Sequence, residues 1–519
     1  MRLHDILDYD ARATPDLEFA LDAQRSVTYA EALAEANQIA NALVAAGLGV
    51  GDRIGVLAKN CIEYALLYYA ASKAGVVPVP LNYRLAPPEW EWILNDAGAK
   101  LVIARGELAQ ALDAVRSDLS TVEQLVALGA EAPSGWKEWD QWLAQHPTTA
   151  PDVEVAQTDD VYQMYTSGTT GRPKGAVITH QALCMHLMQL NMQLKNEQGK
   201  RVLVVTPMYH AAGAVTAINT GVWRGSLYIQ EDFVPAEVVR VLDEERIANA
   251  TLVPAMIQAC LVMVPDVRDR KYADFEQMAY GASPISAETL RQAIDVFGCE
   301  FLQGYGMTET TAALTNLVPE DHVKALAGRE DLLLSAGRAL VGTQIKIVDE
   351  DDNLVPNGTI GEICGRGPQL MRGYWNRPEA TAEAMKGGWM HTGDAGIMDD
   401  DGYVFIQDRT KDMIVSGGEN IYPREVEDAI FAHPSVADVA VIGVPSERFG
   451  EEVKAIIVLK QGESASADDI VQHCKTRLGG FKQPRSVEFI DELPRNPSGK
   501  VLKKVLRDPY WEGSDRRVS

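Results

Sequence analysis

Apolar positions along the first half of the chain switch repeatedly between helical and strand spacing. Thr28-Tyr29-Ala30-Glu31 has the form of a capping box, in which a hydroxyl and a carboxylate satisfy each other's backbone N–H groups. Behind it Leu33, Ala36, Ala40 and Leu43 share one helical face, and Gly47 predicts the helix end. An apolar run over 53–57 reads as a buried strand, 61–74 as a helix and 76–79 as the next strand, a βαβ rhythm. The alternation returns with strands over 202–205 and 227–229, a helix over 236–247 and a strand over 251–253. From about Gly342 the chain turns strand- and glycine-rich, as at 344–348 and 361–364, which predicts a β subdomain. Past Arg409 come a helix over 424–431, strands over 439–442 and 455–459 and a helix over 468–478.

The predicted fold class is therefore α/β: a large N-terminal domain, 1–408, of mixed α/β subdomains plus a β subdomain, and a small C-terminal α+β domain, 409–519. The boundary is placed at the charge cluster 408–412, unlike a core strand, and a length of 519 residues is in any case too great for one core.

Charge narrows the partners. A formal net charge of −25 argues against nucleic acid and against electrostatic docking to anionic lipid, so any phosphate-bearing ligand needs local cations. No apolar run is long enough to span a bilayer, and the start lacks a signal peptide's apolar stretch, so a cytoplasmic location with at most peripheral membrane contact is expected. Cys61, Cys184, Cys260, Cys299, Cys364 and Cys474 show no paired spacing for zinc or a redox dithiol, and are expected to be reduced.

The segment 165–175 changes the picture most. Its glycines allow close backbone approach to phosphate oxygens, the hydroxyls of Thr166, Ser167, Thr169 and Thr170 can donate to them, and Lys174 adds charge. It leads into the apolar run Ala176, Val177, Ile178, so a turn feeding a strand is predicted. With only two residues between Gly168 and Gly171 and with Lys174 followed by Gly175, it is not a Walker A loop. ATP chemistry is the leading reading.

This segment also resembles the phosphate-loop signature of the acyl-adenylate-forming superfamily, which includes acyl-CoA synthetases, coumarate ligases, firefly luciferase and peptide-synthetase adenylation domains. Five further stretches follow in that family's order: 207–213 around His210, Gly304-Tyr305-Gly306-Met307-Thr308-Glu309, Thr392-Gly393-Asp394, Asp408 to Asp412 with 417–423, and 494–500 ending in Lys500. The resemblance implies an ATP-dependent acid–thiol ligase. A carboxylate is first coupled to the α-phosphate of ATP, and the acyl-adenylate then passes its acyl group to CoA.

The same resemblance assigns roles. Glu309 anchors Mg²⁺, a hard ion suited to carboxylate oxygen. Lys500 reaches the carboxylate and α-phosphate, and Thr166 and His210 complete the catalytic set. Thr166, Ser167, Gly168, Thr169, Thr170, Lys174 and Thr308 surround the phosphates. Gly281, Ala282, Ser283, Gly304 and Tyr305 form the adenine slot, with the Tyr305 ring stacking on the base, while Asp394 and Arg409 hold the ribose. His210, Ala211, Ala214 and Gly306 line the acyl pocket, with His210 between it and the thiol tunnel. After adenylation the small domain rotates about Lys411, and Gly417 and Gly418 then line a pantetheine tunnel. Arg448, Lys482 and Arg485 are candidates for the CoA phosphates.

The small apolar residues Ala211, Ala212, Gly213, Ala214 and Val215 suit a hydrophobic acid, medium- or long-chain first and aryl or cyclic second. No arginine in these motifs answers a second carboxylate. Met185, Met188 and Met192, at helical spacing, fit either an acyl pocket or ordinary core packing. A peptide-synthetase module is disfavoured because His210, not aspartate, follows Tyr209. A fatty acyl-AMP ligase loading a carrier protein shares the adenylation motifs and stays open, as does a homodimer. A non-enzymatic nucleotide sensor would be expected to lack Lys500, Glu309 or Asp394, and all three are present.

Overall fold

The computed structural model describes residues 1–129, 132–166, 173–193, 196–283, 285–409, 412–416, 419–446, 448–475, 477–495 and 501–511. The largest sheet has nine strands, in the order Arg338–Ala339, Thr315–Leu317, Glu300–Tyr305, Gln277–Gly281, Ile247–Leu252, Arg201–Val204, Ser226–Ile229, Glu18–Leu21 and Ser26–Thr28. From Glu300–Tyr305 to Glu18–Leu21 neighbouring strands run parallel, and the edge pairs are antiparallel. A second, five-stranded sheet is parallel throughout and is built on Arg53–Leu57 and Ala99–Arg105.

The helix Ile62–Ala74 is buried on nearly every side and carries almost no polar face, because it belongs to the core that joins the first helices to both sheets. Two of its three tyrosines find backbone acceptors for their hydroxyls, Tyr68 donating to Met208 O at 2.7 Å and Tyr69 to Ile218 O at 3.4 Å, while the buried Tyr64 hydroxyl has none. The capping box holds as expected, with Glu31 N–H donating to Thr28 Oγ1 at 3.3 Å and Thr28 N–H to Glu31 Oε2 at 2.8 Å. One predicted boundary moves. The helix read over 236–247 is Pro235–Glu244, Arg246 takes a left-handed φ of 55°, and Ile247 already opens the strand Ile247–Leu252.

The glycine-rich region forms a four-stranded antiparallel sheet ending in Val404–Arg409, and the next strand, Ile414–Ser416, belongs to a separate five-stranded sheet with Glu419–Ile421, Gly450–Leu459, Val436–Ser446 and Ser486–Phe489. Sheet membership therefore changes between Arg409 and Ile414. The small C-terminal domain packs its own core of Ile414, Val426, Val441 and Ile457, and touches the large N-terminal domain where Arg424 donates to Ile285 O at 3.0 Å and Gln258 to Ala437 O at 3.0 Å. Among the described residues, no helix is long and apolar enough to cross a membrane. The six cysteines are unpaired, five of them buried.

Candidate active site

The strand Asp160–Thr166 and its antiparallel partner Lys174–Thr179 bring Thr166 opposite Lys174, so the two ends of the glycine- and hydroxyl-rich segment meet. Ser167, Gly168, Thr169 and Thr170 lie outside the described residues. Beside this root the short strand Gly373–Tyr374 pairs with Lys174–Thr179, which sets the Tyr374 ring 5.1 Å from Lys174 Nζ. Glu309 sits in the single turn Thr308–Thr310, closed by Thr311 at φ 65° and tied down where Met371 N–H donates to Glu309 O at 2.8 Å. Its side chain is buried, and Oε1 accepts from the Tyr374 hydroxyl at 2.7 Å and the Thr166 hydroxyl at 3.5 Å. Burial, with the Glu309 carboxylate beside it, raises the Tyr374 phenol well above its ordinary range, so it stays a donor. Tyr374 was missed in the sequence, where no motif pointed to it.

The nucleotide end rests on backbone. Gly281 and Gly304 pair across parallel strands, and a Cβ on Gly281 would lie 2.2 Å from Gly304 O, so only glycine fits. Gly306 is equally constrained, 2.2 Å from Ala312 O. Ala282 holds a left-handed φ of 65° and borders the cavity, as do Gly281, Gly304 and Thr308, whereas Ser283 does not. The Tyr305 hydroxyl donates to Asp394 Oδ2 at 2.9 Å, which joins the two residues expected at adenine and ribose, but neither borders the cavity, because the Tyr305 ring packs into a core with Ile347, Ile363 and Val404. Thr392 and Gly393 border the cavity next to them. Gly393 N–H donates to Glu362 Oε1 at 2.9 Å, and His391 Nδ1 lies 2.8 Å from Glu362 Oε2 and 3.4 Å from Cys364 Sγ, so this cluster props the stretch Thr392-Gly393-Asp394. Arg409 is described in its backbone only, paired with Asp394.

His210 caps the helix Ala211–Val222 and borders the same cavity, its ring 4.3 Å from that of Tyr209. Its Nε2 is buried without a hydrogen-bond partner, and burial, helped by the charge of Arg84, pulls the imidazole down to about 4. The ring is therefore neutral at physiological pH. Ala211 borders the cavity together with Ala212 and Val215. Ala214 does not: it is fully buried in the core on the other side of the helix, so its place in the pocket is corrected to Val215. Gly213 shows why, since a Cβ there would lie 2.3 Å from Pro207 O, which turns that face against the preceding segment. Met185, Met188 and Met192 are exposed on the surface and belong neither to the pocket nor to the core.

Thr166, Lys174, Glu309, Tyr374, the glycines at 281, 304 and 306, His210 and Val215 thus line one cavity of about 1810 Å³. Val501 and Leu502 of the C-terminal segment border it, as do Lys503, Lys504 and Arg507, of which Lys503 is engaged by Glu427 at 2.9 Å and Arg507 by Asp412 at 3.2 Å. Lys411, Gly417, Gly418 and Lys500 lie outside the described residues. Among the CoA candidates, Arg448 is exposed with its guanidinium 4.9 Å over the Phe449 ring, Arg485 faces the same ring at 5.6 Å, and Lys482 is engaged by Glu425 at 2.7 Å.

Residues 7–375 match the family model of the AMP-binding enzyme, and residues 425–500 that of the AMP-binding enzyme C-terminal domain. The chain is 37% identical to a fatty acid–[acyl-carrier-protein] ligase, ScoC, of Streptomyces coeruleorubidus, over 98% of this chain and 97% of that protein. It is 38% identical to the long-chain-fatty-acid–CoA ligase FadD13 of Mycobacterium tuberculosis, over 96% of this chain and 97% of that one. Its fold superposes on the anthranilate CoA ligase AuaEII in complex with anthranoyl-AMP with a TM-score of 0.91, at 26% identity, covering 98% of this chain and 97% of that one. The chain belongs to the AMP-binding enzyme family and is an AMP-forming acid–thiol ligase of its acyl-CoA synthetase branch.

Proposed function

We propose that the protein couples a hydrophobic carboxylic acid, a medium- or long-chain fatty acid first, to AMP and then to the thiol of CoA. The observation that carries this reading is the continuity of one cavity from Thr166, Lys174 and Glu309 at its polar end to Ala211, Ala212 and Val215 beyond His210. An anionic carboxylate must approach a polyanionic triphosphate, so charge has to be neutralised where the new bond forms. Lys174, and Lys500 next to the cavity-bordering Val501, are our candidates for that work. The buried Glu309 carboxylate and the Thr166 hydroxyl are hard oxygen donors that would hold Mg²⁺, which would supply positive charge against the phosphates. Neutral His210 closes the acyl pocket and can donate one hydrogen bond to the carboxylate without adding charge.

For the second step we assign residues 1–408 and 409–519 to two bodies hinged at Lys411, with Gly417 and Gly418 lining the pantetheine path after rotation. The change of sheet between Arg409 and Ile414 supports a hinge there. A requirement for ATP and CoA fits a cytoplasmic location.

Transfer to a carrier protein is the second reading, favoured by the likeness to a carrier-protein ligase over 98% of the chain. The test supplies ATP, Mg²⁺, a panel of acids and CoA alone, following pyrophosphate and thioester. Thioester formed with CoA supports the first reading, and adenylate that accumulates without thioester supports the second. No pyrophosphate with any acid would refute both.

A further inference from the structure

The tail end of the acid cavity changes character at one depth on both its walls. On the sheet, strand register sets Gly281 beside Gly304, then Ala279 beside Leu302 and Thr251 two residues back, and then Gln277 beside Asn249 two residues further. These residues border the cavity, as does Val202 beside Asn249, so its floor runs from backbone through apolar and small side chains to two amides flanked by one valine. Four residues of strand place the amides about 13 Å from the glycines. The helix Ala211–Val222 covers the floor, and Thr216 Oγ1 meets Thr251 Oγ1 at 3.0 Å, which locks the two walls in register. On the helix the lining is Ala211, Ala212 and Val215, then Asn219 and Thr220 one turn past Thr216. Ala211 to Asn219 spans about 12 Å of helix, the same depth as on the sheet.

These amides are not a solvated rim, since Asn219 and Gln277 are each only 8% exposed. Asn219 Oδ1 accepts from Asn191 Nδ2 at 2.6 Å, which orients its amide group. On the side wall, Asn316 donates from Nδ2 to Gln193 Oε1 at 2.8 Å, while its Oδ1, buried and without a hydrogen-bond partner, stands 3.5 Å from where a Cβ on Gly304 would be. A plain hydrocarbon tail would strip water from these groups and return no hydrogen bond, whereas a hydroxyl can both donate and accept.

Building on the ligase reading above, we infer that the acid carries a hydroxyl toward the end of its tail, placed to meet Asn249, Gln277 and Asn219. The carboxyl is held at the nucleotide end, the middle of the chain crosses the apolar stretch between Val215 and Ala279, and the hydroxyl reaches the amide row. A pocket built to hydrogen-bond a substrate hydroxyl rejects the analogue that lacks it far more strongly than an apolar pocket rejects an added methylene.

The experiment compares decanoate with ω-hydroxydecanoate by pyrophosphate release, using the full chain with ATP and Mg²⁺. Wild type should favour the hydroxy acid by about tenfold or more in kcat/KM. The double variant Asn249→Leu/Gln277→Leu, and separately Asn219→Leu on the opposite wall, should lower that ratio and improve decanoate. A wild-type preference for decanoate, or a ratio the variants leave unchanged, would overturn the inference while leaving the ligase reading intact. Release of pyrophosphate with neither these nor any other acid would refute the ligase reading itself and this inference with it.

Discussion

The Tyr374 hydroxyl and the Glu309 carboxylate are 65 residues apart in sequence and 2.7 Å apart in space. The bond takes one oxygen, Oε1, and holds the carboxyl plane still beside the root of the phosphate segment. Tyr374→Phe should therefore leave a folded enzyme with a weaker Mg²⁺ requirement curve, shifted to higher metal by about tenfold, as expected for losing a partner that orients a ligand. Glu309→Gln should lose far more adenylation. Equal metal dependence in Tyr374→Phe and wild type would show that the tyrosine only fills space.

Lys500→Ala should remove most ATP-dependent adenylate formation but spare thioester formation from preformed acyl-AMP. In the proposed mechanism the cation is needed only where carboxylate meets α-phosphate. Parallel loss of both steps would contradict a rotating small domain.

Gly418→Trp tests the opposite half. A bulky ring in the proposed pantetheine path should leave pyrophosphate release near wild type and abolish thioester. Collapse of adenylation too, in protein with an unchanged melting profile, would remove Gly418 from the tunnel.

For plain fatty acids kcat/KM should climb with chain length, because each buried methylene contributes about 0.8 kcal/mol, and then stop climbing where the tail meets the amide row. Val215→Trp should move that stop to shorter acids. Ala214→Trp, one position away, should instead overpack the core and lower stability by about 1–3 kcal/mol. A chain-length series from acetate to palmitate on both variants, with melting curves, separates the two, and an unaltered profile in Val215→Trp would take that residue out of the acyl site.

Acid should destabilise the fold before the carboxylates titrate. His186 is fully buried, accepts from Ala313 N–H through Nε2 at 3.2 Å, and is pulled down to about 4 by burial. His4 is likewise lowered to about 4 and His180 to about 3, both chiefly by burial. Above the unfolded value of about 6.5 neither state is protonated and pH has no effect through these groups. As pH falls below it the unfolded chain binds protons that the folded chain refuses, so stability declines until the folded values are reached. Urea unfolding should show a flat region above pH about 6.5 and a falling one below, with a shallower fall in His186→Gln. The same slope in both proteins would mean His186 is protonated in place.

Local signals were legible from the sequence and long-range ones were not. The Thr28–Glu31 box depends on four consecutive residues and is formed as read. Thr166, Lys174, Glu309 and His210 belong to ordered motifs, and the fold gathers them around one cavity. Tyr374 was invisible because its meeting with Glu309 is made by sheet pairing, which no local spacing encodes. The choice between Ala214 and Val215 was invisible for another reason: the polar residues of that helix, Thr216, Asn219 and Thr220, face the cavity rather than solvent, so no polar-outside pattern reveals its rotation, which the closeness of Gly213 to Pro207 O and the Thr216–Thr251 bond fix. The amide row of Asn249 and Gln277 needed the register of parallel strands 28 residues apart in sequence, since each amide stands alone in a mainly apolar strand, Asn249 beside only Thr251 as a second polar residue.

The contact of Gly281 with Gly304 O leaves no side chain at that point where the nucleotide end meets the sheet. Mutation therefore has nothing to alter there without breaking the sheet, whereas two rows further back every position offers a side chain that can be exchanged. The molecule is in this sense built with one permanent end and one editable end, and a change of acid would be reached by rewriting the row at Asn249 and Gln277 while the energy-coupling chemistry is inherited unchanged.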